Sequence, residues 1–268
     1  MAKASVVLRS VINHVPVSVL VLGTIVVTVC LVLLGVWLIR RFVPVTREGF
    51  DAEVSSQMLG VVASLFGLLL AFVIVIEYQN FGSAQDNVGQ EADSLAAITR
   101  DSHVLPSAQA ARVRGAIGTY VQAVVTDEWP RLREGRESPL ASDDVDRIYA
   151  ALEAARPTTP QATAFYNDSV RQLNEALIAR RGRLSTASGG IPSLVLALIL
   201  VGAFVILGYV MLIGSRSFWF HLVGACSISL VVALSLVVLV DLSYPFSGSL
   251  VVSSDPFKAG VLAQFFHK

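Results

Sequence analysis

The chain has 268 residues, of which 54% are hydrophobic and 15% are charged, and its 20 basic and 20 acidic residues give a formal net charge of zero. An average soluble domain carries about 25% charged residues, so this chain has too few of them to cover a water-exposed surface. The balanced charge, without a basic run, excludes nucleic-acid binding as the main activity. The composition predicts an integral membrane protein that resides in a lipid bilayer.

Four apolar runs predict four transmembrane helices, since about 20 apolar residues in a helix cross a hydrocarbon core of about 30 Å. The runs cover residues 15–39, 58–78, 191–213 and 218–240. The first run is too long for a cleaved secretory signal and ends at Arg40 and Arg41, so we expect it to stay as an anchor. A short linker with Arg216 separates the last two runs, which predicts an antiparallel hairpin.

Residues 81–190 predict a large helical domain between the second and third spans. No proline occurs from residue 58 to residue 104, and an apolar stripe continues past the membrane at Val88, Ala92, Leu95 and Ile98. The second span is therefore expected to extend out of the bilayer as a rod of about 70 Å. The expected divisions of the chain are a first transmembrane pair at 1–80, a helical domain at 81–190, a second transmembrane hairpin at 191–241 and a tail at 242–268.

Helix-starting and helix-ending residues divide the helical domain further. One helix is expected to begin at Pro106 and to end near Pro130, and a second to run from an N-cap at Ser142 to Arg156. A third helix opens at Pro160. Basic residues lie near its end, where cations suit the helix dipole, namely Arg180, Arg181 and Arg183.

The C-terminal tail predicts one more short helix, because Asp255 precedes Pro256 in the manner of a helix start. Its apolar residues are expected to lie against the membrane surface or another subunit. They are Phe257, Val261, Leu262, Phe265 and Phe266.

Topology is predicted from basic residues near the span ends, which are more frequent on the cytoplasmic side. Four spans place both termini and residues 81–190 on the same side. That side has six flanking bases, Lys3, Arg9, Arg180, Arg181, Arg183 and Lys258, and the other side has four, Arg40, Arg41, Arg47 and Arg216. The termini and the helical domain are therefore expected in the cytoplasm. The basic residues comprise 17 Arg and 3 Lys, which indicates a GC-rich bacterial genome and hence a bacterial inner membrane.

The sequence lacks the usual motifs of catalysis and cofactor binding, so no enzyme activity, cofactor or metal is expected. Histidines are scattered over different segments, at His14, His103, His221 and His267. Asp143, Asp144 and Asp146 lack the glycine and the distal glutamate of a calcium loop. Glu77 and Asp241 lie at span ends rather than in mid-membrane, which disfavours a pump or a coupled transporter.

The second span best suits a passive pore with an apolar constriction. The candidates for an apolar neck are Phe66, Phe72 and Ile76, and those for the polar mouths are Gln57, Glu77 and Asn80. A face of small residues permits close helix approach and consists of Gly60, Ser64, Gly67 and Ala71. Such a face more often serves helix packing than a pore. The alternative is therefore a non-conducting membrane scaffold or sensor whose helical domain binds a protein partner.

Several short motifs occur along residues 55–260. The first group is Glu91-Ala92-x-x-Leu95, Leu105-Pro106, Arg112, Tyr120 and Glu128-Trp129-Pro130, followed by a helix ending in Arg180, Arg181, Arg183 and Leu184. The second group follows the fourth span and is Pro245-Phe246-Ser247-Gly248, Val252-Ser253 and Pro256-Phe257. In this order the motifs resemble the bestrophin-like domain family of bacterial and plant membrane proteins. The resemblance implies an all-helical fold with four spans and a large domain between the second and third.

The resemblance also implies a function. Bestrophins are homopentameric anion channels whose second span forms an apolar neck, and residues 64–72 are similar to that neck. It therefore implies a homo-oligomer, with five subunits, that passes small ions. The sequence lacks the acidic calcium clasp of bestrophins and the paired tryptophans after the neck, so the resemblance specifies neither the ion nor the gating stimulus.

Overall fold

The computed structural model describes Arg9, Asn13 and residues 15–42, 52–212 and 218–266. The expectations for some single residues lie outside these described residues, namely those for Lys3, His14, Arg47, Arg216 and His267. The regular elements within the described ranges are helices, and no strand occurs among them. The all-helical class predicted from the sequence is thereby confirmed.

Eight α-helices occur among the described residues. In chain order they are α1 (Val17–Phe42), α2 (Ala52–Asp101), α3 (Ser107–Ala123), α4 (Trp129–Leu132), α5 (Pro139–Glu153), α6 (Pro160–Ser188), α7 (Ser193–Leu212) and α8 (Phe218–Leu242). Short segments of tighter 3-10 helix lie at Ser102–Val104, Asp255–Lys258 and Gly260–Phe265, and a wider π-helical turn lies at Val124–Glu128.

The chain divides into two compact units. The membrane unit takes the described residues of 15–79 and 191–243, and the helical unit takes Arg9, Asn13 and residues 80–190 and 244–266. α2 is one continuous helix of 50 residues, or about 75 Å, as the absence of proline predicts. Its first part belongs to the membrane unit and its second part to the helical unit.

Four helices are long and apolar enough to cross a bilayer. The candidate spans are Ser18–Leu38, Ser56–Val104, Ser193–Met211 and Trp219–Leu242, and the second of them extends well past its apolar part. Within the membrane unit, two glycines mark close approaches between helices. A Cβ atom added at Gly202 of α7 would lie 2.5 Å from the Phe66 ring, and one added at Gly35 would lie 2.5 Å from the Met211 sulfur.

The helical unit has an apolar core in which α2 and α3 take part. The predicted stripe of α2 is buried there, at Val88, Ala92, Leu95 and Ile98. Buried residues of α3 share the cluster and recur at helical spacing, at Val113, Ile117 and Val121. The periodicity that predicts these helices therefore also identifies the sides that they bury.

α5 begins earlier than expected. The N-cap is Ser138 and not Ser142, because the Ser138 hydroxyl accepts a hydrogen bond of 3.2 Å from the backbone N–H of Ala141. Pro139 takes the first helical position, where its missing N–H costs nothing. The expected end at Arg156 is also wrong, since the helix stops at Glu153.

The helix that begins after Pro106 ends at Leu132, two residues past Pro130 and thus close to the expected end. It continues through the π-helical turn into α4, because the backbone N–H of Trp129 bonds to the carbonyl of Val124 five residues earlier. Pro130 then lies in the first turn of α4, where a proline is tolerated. The wide turn places Glu128 and Trp129 inside the helical unit.

The expectation that the tail lies against the membrane or another subunit is wrong for Phe257 and Leu262. Both are buried in the core of the helical unit, and Phe265 and Phe266 pack against that core. The physical reason is an aromatic contact, since the Phe257 ring packs edge-on against Trp129 with centroids 5.9 Å apart. The tail thus belongs to the domain fold.

Candidate functional site

One side of α2 packs inside the membrane unit. On it, Phe66 lies against Gly202, Leu70 is buried, and Glu77 is only 7% exposed. The sequence predicts Phe66 in a pore neck and Glu77 at a pore mouth. The structure places both of them on the packed side of the helix.

The opposite side of α2 is apolar and open in a single subunit. Phe72 is 61% exposed and Ile76 is 53% exposed, and at about 100° per residue both face away from the buried Leu70. Leu65 and Leu68 share this open side. The sequence does not single them out, because in a run that is apolar all round nothing distinguishes one large side chain from another. Two residues expected at the mouths are also exposed, Gln57 and Asn80.

The small residues of α2 form a third side, which is uncovered within the subunit. Gly60, Ser64, Gly67 and Ala71 are all exposed, and a Cβ atom added at Gly60 or Gly67 would meet nothing within 4 Å. The Ser64 hydroxyl donates to the carbonyl of Gly60 at 2.8 Å, so its hydrogen bond is made within the helix. This side can therefore accept a close neighbour without repacking.

A buried ion pair joins α2 to α6 in the helical unit. Arg183 donates from Nε to Oε2 of Glu91 at 2.8 Å and from Nη2 to Oε1 at 3.0 Å. Both side chains are fully buried, and Tyr120 of α3 donates its hydroxyl to the same carboxylate. Burial and the Glu91 carboxylate raise the pKa of Tyr120 well above its ordinary value, so the phenol stays protonated as a donor.

A second carboxylate completes this buried charge cluster, which we define as Glu91, Tyr120, Glu128, Arg180 and Arg183. Glu128 lies 3.3 Å from Arg180 Nη2 and 3.6 Å from Arg183 Nη2. Burial raises the pKa of Glu128, although both guanidinium groups oppose the rise. Burial alone would lower the pKa of Arg183, but the Glu91 and Glu128 carboxylates outweigh it and raise that pKa. The cluster holds two acids and two bases, so it is charge-balanced.

Aromatic rings connect this cluster to the tail. The Arg183 guanidinium lies 5.3 Å from the Trp129 ring centroid and 5.8 Å from that of Phe257. Trp129 Nε1 donates to the carbonyl of Val252 at 3.3 Å, and its ring packs edge-on against Phe246 at 5.6 Å. The Arg183 guanidinium thus contacts Glu91 of α2, the neighbouring residues Glu128 and Trp129, and Phe257 of the tail. The sequence suggested a dipole role for Arg183 and did not predict this arrangement.

Two residues that precede the first span, Arg9 and Asn13, also contact the helical unit. Arg9 donates to the carbonyls of Ala187 and Gly189, at 2.7 and 3.0 Å, where α6 ends. Its guanidinium lies 4.7 Å from the Tyr244 ring centroid. Asn13 donates to the carbonyl of Arg133 at 2.9 Å. Arg9 therefore serves as a side-chain cap for α6.

Comparison with known families decides the identity of the fold. The model of the bestrophin-like domain matches residues 26–257, which is most of the chain. The protein belongs to the bestrophin-like domain family. A search of curated proteins finds no match to this bestrophin-like sequence.

Solved structures of bestrophin homologues share this fold. A crystal structure of the homologue from Klebsiella pneumoniae with a single substitution has a TM-score of 0.69 at 11% identity, covering 92% of this chain and 99% of that one. A second crystal structure from Klebsiella pneumoniae, phased by Zn-SAD, has a TM-score of 0.65 at 12% identity, covering 91% and 95%. At such identities the likeness establishes a common fold.

Part of the motifs that resemble this family forms the buried charge cluster of the bestrophin-like chain. Glu91, Tyr120, Glu128, Arg180 and Arg183 supply its charges and hydrogen bonds. Trp129 and Phe257 pack against the Arg183 guanidinium. These motif residues therefore stabilise the interior of the helical unit. The exposed residues of α2 in the membrane unit are not among the motif residues.

Proposed function

We propose that this bestrophin-like protein is a homo-oligomeric ion channel of the bacterial inner membrane, with an apolar neck lined by the second span of each subunit. The observation that carries the proposal is the open apolar side of α2. A helix packed on one side, with Phe72 and Ile76 projecting from the other, suits the wall of a narrow axial passage. Leu65 and Leu68 extend the same wall by two turns.

The uncovered small-residue side supports assembly from several copies. Ala71 and Phe72 are consecutive, so their side chains point about 100° apart around the helix axis. If Phe72 faces a central axis, the side with Gly67 and Ala71 faces a neighbouring subunit. Small residues there let the two backbones approach closely. A ring of subunits, five as the resemblance implies, places Phe72 at the axis and the small residues against the neighbouring subunit.

The lack of charge on this apolar wall supports a passive path. From residue 58 to residue 76 the span holds no ionisable side chain, so an ion crosses an apolar zone in which large side chains control wetting. Solved structures that share the fold are bestrophin homologues, and bestrophins are channels. The helical unit and both termini are proposed to face the cytoplasm.

The test compares ion currents of the purified wild type and of Phe72→Ala in planar bilayers at matched protein amounts. A smaller side chain widens and wets the neck, so the conductance of Phe72→Ala should exceed that of the wild type. Phe204→Ala is the matched control, because Phe204 is also an exposed phenylalanine and lies on a different span, α7. That variant should conduct as the wild type does.

A second comparison separates a neck from a packing role. Phe66→Ala removes a ring that packs inside the subunit, so it should lower stability by about 3 to 5 kcal/mol without raising the conductance per channel. If the wild type and Phe72→Ala both assemble as oligomers yet neither passes current at any voltage or pH, the channel is refuted. A non-conducting scaffold is then the function to pursue.

A further inference from the structure

Glu128 is held more loosely than the other acid of the buried charge cluster. Glu91 accepts two hydrogen bonds from Arg183, at 2.8 and 3.0 Å, and a third from the Tyr120 hydroxyl. Glu128 accepts one bond of 3.3 Å from Arg180, and its Oε2 atom accepts none from the residues that the structure describes. A buried carboxylate without a full set of donors is costly to keep ionised. Glu128 is therefore the acid of the cluster that takes up a proton more readily.

The backbone around Glu128 is also unusual. The turn Val124–Glu128 is π-helical, and such turns are rare and frequent at functional sites. It places Glu128, which is 0% exposed, and Trp129, which is 8% exposed, next to each other in the core. A change in the charge of Glu128 therefore acts directly on the contacts that hold this turn.

Arg180 is the partner that can respond to such a change. Its Nη2 atom donates to Glu128 and, at 3.1 Å, to the Ser142 hydroxyl of α5, so one guanidinium joins the π-helical turn, α5 and α6. The Arg180 side chain is 11% exposed, and its Nε has no hydrogen-bond partner among the described residues. Arg183, by contrast, is fully buried and is fixed by its two bonds to Glu91. Arg180 can therefore turn towards solvent when Glu128 is neutralised, whereas Arg183 cannot.

The groups that act on the charge of Glu128 come from three helices. Arg183 and Arg180 of α6 favour its ionised form, and Glu91 of α2 opposes it. Tyr120 of α3 stays protonated, and α5 contributes a serine hydroxyl, which does not titrate in this range. Burial has the largest effect and raises the pKa of Glu128 above its ordinary value of 4.5. One proton from solvent changes the cluster from charge-balanced to a charge of +1.

We propose that Glu128 and Arg180 form a proton-sensitive latch in the helical unit. With Glu128 ionised the latch is closed, and Arg180 holds the π-helical turn against α5 and α6. Uptake of one proton leaves Arg180 without its acid partner and releases this guanidinium to solvent. The start of α5 then loosens, while the pair of Arg183 and Glu91 keeps the unit folded. A local change of charge of this kind is a common form of regulatory switch. The latch lies within the helical unit and operates whether or not the protein conducts ions.

The first test follows the proton in the full-length protein purified in detergent. Infrared difference spectra between neutral and acid pH should show the carbonyl band of a carboxylic acid that forms with a midpoint above pH 4.5. Glu128→Gln should abolish this band. Arg180→Met should move the midpoint upwards by about 1 to 3 pH units, because the ionised form loses a neighbouring cation. Arg181→Met is the matched control, since Arg181 is the next residue and is exposed, and it should leave the midpoint unchanged.

The second test follows the latch by hydrogen exchange and mass spectrometry. Amides at the start of α5, residues 139–146, should exchange faster below the midpoint than above it, after correction for the intrinsic effect of pH. Glu128→Gln imitates the neutral acid and should exchange at the faster rate throughout, whereas Arg181→Met should behave as the wild type does. Circular dichroism verifies that each variant is folded, and the shift in Arg180→Met identifies the band independently of Glu128→Gln.

The outcomes separate the proton site from the latch. A wild type without the carboxylic-acid band, or a band that Glu128→Gln and Arg180→Met both leave unaltered, overturns the assignment to Glu128. Exchange at the start of α5 that does not change across the midpoint overturns the latch. A wild type that passes no ion current would refute the proposed channel and leave these results unaffected.

Discussion

Arg183 and Glu91 are 92 positions apart in the chain and form a two-point ion pair that no solvent reaches. Two N–H groups of one guanidinium meet both oxygens of one carboxylate, a geometry that lysine does not reproduce. Removal of either partner leaves a charge in the core without its closest counter-ion, so we expect substitution of one partner alone to be strongly destabilising.

Arg183→Met should therefore destabilise the protein by about 3 to 5 kcal/mol. Glu91→Gln/Arg183→Met removes both charges and should lose less than the sum of the two single changes, since the partners are coupled. Circular dichroism during thermal unfolding in detergent measures these losses. Arg171→Met, which breaks exposed pairs on α6, should change stability little. An equal loss of stability in Arg171→Met and Arg183→Met would contradict the view that the buried pair stabilises the protein more than the exposed pairs do.

Glu128 should make stability fall as the pH rises. Its folded-state pKa is raised by burial above its ordinary value of 4.5. A carboxyl of this kind contributes stability that is fully present below the ordinary pKa and is lost as the pH rises through the raised one. The melting temperature of the wild type relative to Glu128→Gln should therefore decrease from about pH 4.5 upwards.

The adjacent residue provides a control of opposite sign for that titration. Hydrogen bonds from Ser138 and Arg131 lower the pKa of Asp127 below its ordinary value of 3.8. Its contribution is present above the ordinary pKa and is lost as the pH falls through the lowered one. The wild type relative to Asp127→Asn should thus lose stability at acid pH. If both differences in melting temperature changed with pH in the same direction, at least one of the two environments would not act as described.

Gly67→Leu should weaken assembly while leaving the subunit folded. A Cβ atom at this position meets nothing within 4 Å in one subunit, so the added bulk acts only on a neighbour. Native mass spectrometry in mild detergent should show fewer oligomers and more monomers. Gly202→Leu is the contrasting variant, because its side chain would collide with Phe66 and should cost at least about 1 to 3 kcal/mol of stability. Wild type that is monomeric under these conditions would refute assembly through α2.

Thr158→Cys should report the orientation of the helical unit. Thr158 is exposed in the connection between α5 and α6, whereas Ser138 in the preceding connection is a buried N-cap and is unsuitable for labelling. With Cys30 and Cys226 replaced, an impermeant thiol reagent should label Thr158→Cys only after the inner membrane is permeabilised. Labelling in cells with an intact inner membrane would place this unit outside the cytoplasm.

Local signals explain how far the fold is predictable from sequence. The four spans and the unbroken α2 follow from apolar length and the lack of proline, which are properties of neighbouring residues. The caps at Ser138 and Ser142 compete within four positions, so the start of α5 depends on which serine the tertiary fold buries. Local chemistry alone does not decide between them.

Contacts between distant segments explain what is not predictable. In a sequence, Glu91 and Arg183 look like ordinary solvated charges on helices, and only the packing of α6 on α2 brings them together. Phe66 and Phe72 likewise occupy the same apolar run, but Phe66 packs against Gly202 of α7 whereas Phe72 stays exposed. A span without polar residues has no amphipathic contrast, so its orientation is decided by partners that the sequence does not identify.

Arg9 has a practical consequence for work on the protein. Its guanidinium occupies the carbonyls at the end of α6 and covers Tyr244, although it comes before the first span in the chain. A shortened protein that begins at residue 14 would lack this cap, and the carbonyls at the end of α6 and the Tyr244 ring would lose their contact with Arg9. Affinity tags are therefore better added ahead of Met1 than substituted for Arg9 and Asn13.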